Sequence, residues 1–332
     1  MNTPLVVLIA ACGQPAVLRR TLRSLAACDK PNEYAGVIIV ENGPCAGLDA
    51  VVAEFPREQR FTYRYSEPPN KSVALNRALE EIRDALVLFT DDDVQVPRET
   101  LVAYARAAAG CGGGEFYGGP IVPDHEGQSP PAWLAPMLPR SAAGWKLDAT
   151  TKTRIAQPEF IGPNLAAFAA DVLDVGGFET RLGPGRHMLS PGEDTEIQER
   201  LLAHGIAGYY VPGAAIHHLV RANAATVDFA VHRAQRNGMF WGISQARRRG
   251  FFPRRWLKIY GQWLNDRWRI SRWRRSGDEV AIVRANCLEA RWRGRWNGIR
   301  AGWNWDLPMA TVPIASRQPP VSVARSTNRQ AA

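Results

Sequence analysis

No segment of this chain approaches the roughly 18 uninterrupted apolar residues that a membrane-spanning helix requires, so no spanning helix is expected. A secretory leader is not expected either. Met1-Asn2-Thr3-Pro4 holds no Lys or Arg, and the short apolar run Leu5–Ala11 stops at Gly13-Gln14-Pro15, the pattern of a first strand and its turn. Cysteine is scarce: Cys12, Cys28, Cys45, Cys111 and Cys287 make an odd set with no CxxC pair. That argues against a disulfide framework and a zinc site and favours a reducing cytoplasm. No internal repeat is visible.

The 332 residues are 45% hydrophobic and 22% charged, enough for a sizeable core in one large domain or two smaller ones. The net charge of +9 is unevenly placed. Residues 1–240 hold 22 Lys and Arg against 27 Asp and Glu, whereas residues 241–332 hold 19 against 5. The basic character belongs to the C-terminal quarter, which suggests an anionic partner there.

Strand-like and helix-like segments alternate over the first 120 residues. Leu5–Ala11, Val37–Val40, Thr62–Tyr65 and Leu86–Thr90 read as strands. Val17–Ala27, Ser72–Ala85 and Arg98–Ala109 read as helices, the last opened by Pro97. This order implies an α/β fold with a mostly parallel sheet flanked by helices. Gly110–Gly114 is a break and Ser129–Pro139 a loop. Phe160–Phe168 is then expected as a strand, Glu193–His204 as a helix, Ala207–Val211 and Ala214–His218 as strands, and a long helix runs from Thr226 to about Arg248.

Asp91-Asp92-Asp93 closes an apolar strand, and ligands of parallel α/β sheets bind outside the carboxyl ends of strands. Three adjacent carboxylates repel one another unless a cation or hydroxyl groups satisfy them, and a divalent ion such as Mg²⁺ or Mn²⁺ suits a few carboxylates plus phosphate oxygens. The plainer alternative is a solvated acidic loop. Glu193-Asp194 opens an amphipathic helix, where acids also serve simply to complement the helix dipole. His217-His218 ends an apolar segment, where a histidine is a plausible metal ligand.

In order along residues 4–245, these segments resemble the family 2 glycosyltransferases of the GT-A fold. The resemblance rests on Leu18-Arg19-Arg20-Thr21-Leu22, Val40-Glu41-Asn42-Gly43, Asn70-Lys71-Ser72 with Asn76-Arg77-Ala78, and Phe89-Thr90-Asp91-Asp92-Asp93 as a DxD motif. It continues through Gly162-Pro163-Asn164, Gly176-Gly177-Phe178 and Gly192-Glu193-Asp194-Thr195. The resemblance implies an inverting transfer from a nucleotide-diphosphate sugar, with UDP the implied nucleotide, to a sugar or lipid-linked hydroxyl in polysaccharide or glycoconjugate synthesis. It implies Asp194, with Glu193 beside it, as the base. The backbone of Ala11 and the side chains of Glu41, Asn70, Lys71, Asn76, Asp91, Asp92 and Asn164 would hold the nucleotide-sugar. Asp93 and either His217 or His218 would hold Mn²⁺ or Mg²⁺. Ala11-Cys12-Gly13-Gln14 departs from the family's usual Tyr-Asn at the first strand's end. The rival of another class is a non-catalytic nucleotide-sugar-binding or membrane-surface scaffold. A nucleotidylyltransferase would want a GxGxR-type loop after the first strand, which Ala10–Leu18 lacks.

Three regions are expected: a catalytic domain over 1–225, a helical Trp/Arg-rich extension over 226–310, and a disordered tail over 311–332. Nine of the eleven tryptophans fall between Trp241 and Trp305. Over 254–275, Trp256, Ile259, Tyr260, Trp263, Leu264 and Trp268 recur at helical spacing among arginines, the composition of a helix lying on an anionic membrane surface. The alternative is a helix packed on the catalytic domain. No nucleic-acid module is recognisable, so no nucleic acid is expected, and the expected location is cytoplasmic or on the cytoplasmic face of a membrane.

Overall fold

The computed structural model describes residues 3–184, 188–247 and 253–303. The elements in chain order begin with β1 (Leu5–Ala11), α1 (Pro15–Ala27), β2 (Tyr34–Asn42), α2 (Leu48–Ala53), β3 (Phe61–Ser66), α3 (Lys71–Glu81), β4 (Leu86–Asp91) and β5 (Val94–Gln95). They continue with α4 (Thr100–Ala107), β6 (Glu115–Gly118), β7 (Ile121–Asp124), α5 (Arg140–Ala143), β8 (Thr153–Ile155), β9 (Leu165–Phe168), α6 (Ala169–Asp174) and α7 (Glu193–Ala203). They end with β10 (Ala207–Tyr210), β11 (Ile216–Leu219), α8 (Val227–Arg247), α9 (Pro253–Arg275) and α10 (Glu279–Trp303). The expected disordered tail over 311–332, and Trp305, lie outside the described residues.

Eight strands form one sheet in the order β3-β2-β1-β4-β9-β6-β10-β8, and β5-β11-β7 form a small second sheet. In the large sheet, β3, β2, β1 and β4 run parallel, as do β6 and β10. Strand β9 is antiparallel to both neighbours, and β8 to β10. The expected mostly parallel sheet between helices is what forms. Every residue of β1 is buried, because helices cover both faces. Val7 and Ile9 pack on one side with Leu18 and Leu22 of α1, and Val6 and Leu8 pack on the other with Ala74 and Leu75 of α3. Pro15 starts α1 at a position whose amide has no helical partner, and Leu18, Leu22 and Leu25 form its buried stripe.

Two expectations need correction. The strand expected from Phe160 begins only at Leu165, because Gly162–Asn164 forms a 3₁₀ turn around Pro163. Strands β6, β7 and β8, with only three or four residues each, were not expected at all.

The extension is built onto the body. Leu134, Leu138 and Ala142 share a core with Ala230 and Ala234 of α8 and Cys287 of α10. Helices α8 and α10 run parallel and touch backbone to backbone through glycines. A Cβ on Gly294 would lie 1.8 Å from the Gln235 carbonyl oxygen, and one on Gly298 would lie 2.0 Å from that of Met239. Gly298→Ala is therefore expected to destabilise the protein by about 2 kcal/mol or more, the cost of forcing packed elements apart. Gly261→Ala, on α9 with open space around the added methyl, is expected to stabilise by about 0.5–1 kcal/mol. Urea unfolding of the two variants checks this pair. Equal midpoints would refute the tight contact.

Candidate active site

The DxD segment follows β4, whose last residue Asp91 lies opposite Ala10 of β1. Thr21 of α1 fixes the turn: its hydroxyl lies 2.6 Å from the Asp92 carbonyl oxygen and accepts the Val94 N–H at 3.2 Å. Strand β11 then pairs with β5, placing His218 opposite Val94, and the Leu219 N–H donates to the Asp93 carbonyl at 2.8 Å. Its register brings His218, and not His217, to the carboxylates, since neighbouring residues of a strand face opposite ways. Ligand atoms of Asp91, Asp93 and His218 lie within 4.8 Å of one another. His218 Nε2 is 3.5 Å from Asp93 Oδ1, and Arg221 Nη2 is 3.9 Å from Asp93 Oδ2.

Two atoms of this group, Asp93 Oδ1 and His218 Nδ1, are buried with no hydrogen-bond partner. Buried polar atoms are rarely left so. Burial, then Asp91, raises the Asp93 pKa against the opposing pull of His218 and Arg221. Burial and Asp93 push Asp92 up to about 7, although its Oδ2 accepts the Cys12 N–H at 3.2 Å. Carboxylates held in their less comfortable charged form are what a divalent cation relieves, and two carboxylates with one imidazole fit such an ion. The residues present therefore fit a metal.

A second acidic group meets this one across Lys71. Asn70 caps α3 by accepting the Val73 N–H at 3.1 Å, which sets Lys71 at the helix start. The Lys71 ammonium hydrogen-bonds Asp91 Oδ1 and lies 3.9 Å from Glu193 Oε1. Burial lowers its pKa, but Asp91 and Glu193 outweigh that and the net shift is upward. Helix α7 starts after Gly192, whose φ of 117° and contact with Phe240 both require the missing side chain. The first turn then presents Glu193 and Asp194, favoured there by the helix dipole. Asp194 Oδ2 accepts the Gly162 N–H at 2.8 Å and Oδ1 accepts the Thr195 N–H at 2.8 Å, so the carboxylate is held in one orientation. Glu193 is buried, and burial and then Asp194 raise its pKa, partly offset by Lys71. Asp194 alone of the two also opens on a cleft of about 780 Å³ between the catalytic body and helices α8–α10.

Several expected nucleotide contacts have other roles. Asn76 donates to the Phe178 carbonyl and accepts the Phe178 N–H. Asn164 is fully buried, accepting from Tyr104 at 2.6 Å and donating to the carbonyls of Pro120 and Ala214. The oxygen and the nitrogen of both amides thus hydrogen-bond within the fold. Glu41 is also fully buried, accepting the Ala46 N–H and the Tyr63 hydroxyl, each at 2.6 Å. Asn70 additionally donates to the Thr180 carbonyl at 2.8 Å. Ala11 lies buried at the end of β1, opposite Glu41. Thr21 and Arg221 were not foreseen as site residues. A basic residue three places after His218 was the available signal for Arg221.

Residues 3–239 match the family described as glycosyltransferase like family 2. The succinoglycan biosynthesis protein ExoM of Rhizobium meliloti (strain 1021) is 28% identical over 228 residues, 68% of this chain and 70% of that protein. Among solved structures, the mannosyltransferase PcManGT from Pyrobaculum calidifontis, in complex with GDP-Man and Mn²⁺, superposes with a TM-score of 0.56 at 15% identity, covering 90% of this chain and 88% of the other. GalNAc-T7 with UDP, GalNAc and Mn²⁺ gives 0.52 at 14% identity, covering 74% and 51%. At such identities the structures establish the GT-A fold. The family match runs from β1 into α8 and takes in both acidic groups, and so the chain belongs to glycosyltransferase family 2.

Proposed function

We propose that this chain is an inverting, metal-dependent transferase that moves a sugar from a nucleoside-diphosphate sugar, UDP being the first nucleotide to test, to a hydroxyl of a sugar or lipid-linked acceptor in polysaccharide assembly. The observation that carries this reading is Lys71, which ties the Asp91, Asp93 and His218 group to Glu193 and Asp194 in one continuous site. Asp91, Asp93 and His218 would hold Mn²⁺ or Mg²⁺, which when bound would supply positive charge to the diphosphate. Lys71 and Arg221 add fixed positive charge beside those carboxylates. Asp194 takes the proton of the acceptor hydroxyl as that oxygen attacks the anomeric carbon. The bond from that carbon to the phosphate oxygen breaks, and its electron pair leaves with the nucleoside diphosphate. One displacement with one base inverts the anomeric centre.

We place this reaction at the cytoplasmic face of an anionic membrane, reached through the outer side of α9. No helix among the described residues is long and apolar enough to cross a membrane.

Thermal-shift titration of UDP, GDP and dTDP, with and without Mn²⁺, tests the donor site. One nucleotide is expected to raise the Tm only with metal present, by the equivalent of about 2.7 kcal/mol at a hundred times its Kd. Asp93→Ala is expected to abolish the shift. If no nucleotide shifts the wild type with metal present, this reading falls.

A further inference from the structure

The cleft onto which Asp194 opens has one wall in the catalytic body and the other in helices that carry no part of the donor site. Arg233 and Trp241 of α8 and Arg291 and Trp292 of α10 line that second wall. Arg233 is half-buried, and its Nε is buried with no hydrogen-bond partner. Among the described residues no carboxylate pairs with Arg233 or Arg291. The four acids lining the cleft have other partners: Glu159 pairs with Arg140 at 3.0 Å, Asp266 accepts the Trp292 indole N–H at 3.0 Å and pairs with Arg269 at 3.1 Å, Glu199 accepts the Ser244 hydroxyl at 3.5 Å, and Asp194 accepts the Gly162 and Thr195 N–H groups. Gly238 seats against the Arg291 carbonyl and so locks α10 beside α8, placing both guanidinium groups on one wall. An unsatisfied buried donor on a charged group costs more than a neutral one, and a guanidinium matches the two oxygens of a carboxylate or phosphate. Trp241, 49% exposed and edge-on to Phe240, offers an aromatic surface in the same cleft.

We propose that this cleft is the acceptor channel and that Arg233 and Arg291 form an anion subsite in it, so that the acceptor is a saccharide bearing a carboxylate or phosphate close to the hydroxyl that receives the new sugar. This rests on the transferase reading above. It goes further in assigning the extension a substrate-selecting role and the acceptor a charge.

Calorimetric titration of glucose 1-phosphate, glucuronate and glucose tests the subsite. EDTA is included so that no divalent ion recruits phosphate to Asp91, Asp93 and His218. At least one anionic sugar is expected to bind ten times more tightly than glucose, and the order of the two anions separates phosphate from carboxylate. Arg233→Gln with Arg291→Gln is expected to remove that preference while leaving the Mn²⁺-dependent nucleotide shift unchanged. Arg291 is exposed, so Arg291→Gln alone must still weaken the anion at least threefold if the double variant fails to fold. Equal binding of the three sugars, no anion binding by the wild type, or an anion preference untouched by these variants overturns the subsite. Loss of nucleotide binding with the anion preference intact would overturn the transferase reading and leave the subsite standing.

Discussion

Asp194→Asn is expected to lower kcat by about 10²–10⁴-fold, the usual contribution of a positioned general base. Nucleotide affinity should stay within about twofold, because the Asp194 carboxylate bonds the Gly162 and Thr195 N–H groups and is no member of the Asp91, Asp93 and His218 group. The amide matches the carboxylate in size but cannot take a proton. It retains one oxygen for the Gly162 N–H and turns an NH₂ toward the Thr195 N–H, or the reverse, which costs about 1 kcal/mol of stability. Product formation and metal-dependent nucleotide binding, measured on the same preparation, separate the chemistry from the fold. Glu193→Gln tests the assignment from the other side. Glu193 is buried against Lys71, so its loss should disturb Lys71 and donor affinity as well as turnover. If Asp194→Asn turns over like the wild type, the base lies elsewhere. If neither variant nor wild type transfers sugar while nucleotide still binds, the non-catalytic scaffold gains.

Much of this site was readable from residue order. Three acids at the end of an apolar run put mutually repelling charge where a parallel sheet binds its ligands, and Glu193-Asp194 before an apolar stripe marked the start of α7. The choice between His217 and His218 was not readable, because it depends on the pairing of β11 with β5 and β7, two very short strands with no recognisable alternation. The bonds that Asn76 and Asn164 make inside the fold were hidden for another reason. An asparagine offers the same donors and acceptor to a nucleotide and to a backbone carbonyl, and only the fold decides which it meets. Helix α10 had no bounds of its own within an extension expected only as helical, basic and tryptophan-rich. Its contact with α8 is backbone to backbone, so its interface is marked by Gly294, Gly298 and Gly302, which read as helix weakness and not as packing. The cleft could not be foreseen at all, since one wall comes from residues between Pro139 and Glu199 and the other from residues between Arg233 and Arg295.

Replacing Leu257, Tyr260, Leu264 and Trp268 together by Ala is expected to weaken binding to anionic vesicles by a hundredfold or more. These side chains recur at intervals of three, four and four along α9, which places them on one stripe, and they are 69%, 52%, 48% and 58% exposed. The opposite side of the helix is accounted for: Ile259, Asp266 and Ile270 are buried, and Trp263 packs edge-on against Trp296 of α10. Asp266 is the sole acid between 253 and 275, and it is turned inward. The outward face is thus apolar in its centre and cationic at its margins, with Lys258, Arg267 and Arg272 exposed and the Arg272 guanidinium over the Trp268 ring. Such a face suits an anionic leaflet: each cation near the surface adds about 1 kcal/mol before screening, and each large apolar side chain adds up to about 1.5–3 kcal/mol on full insertion. Partial insertion of four side chains supplies the roughly 3 kcal/mol that a hundredfold change needs. Because all four are exposed, the variant should unfold at nearly the wild-type midpoint. Co-sedimentation with phosphatidylglycerol vesicles, compared with phosphatidylcholine alone and repeated at high salt, gives the readout. Wild-type binding should require the anionic lipid and fade with salt. Indifference to lipid charge, retention of binding by the variant, or a wild-type dimer in light scattering that the variant abolishes would each remove the membrane from this face. Gln262 and Asp266 of the same helix line the cleft that reaches Asp194. A helix seated on the leaflet would therefore set the mouth of that cleft beside the lipid surface, within reach of the lipid-linked acceptor proposed above.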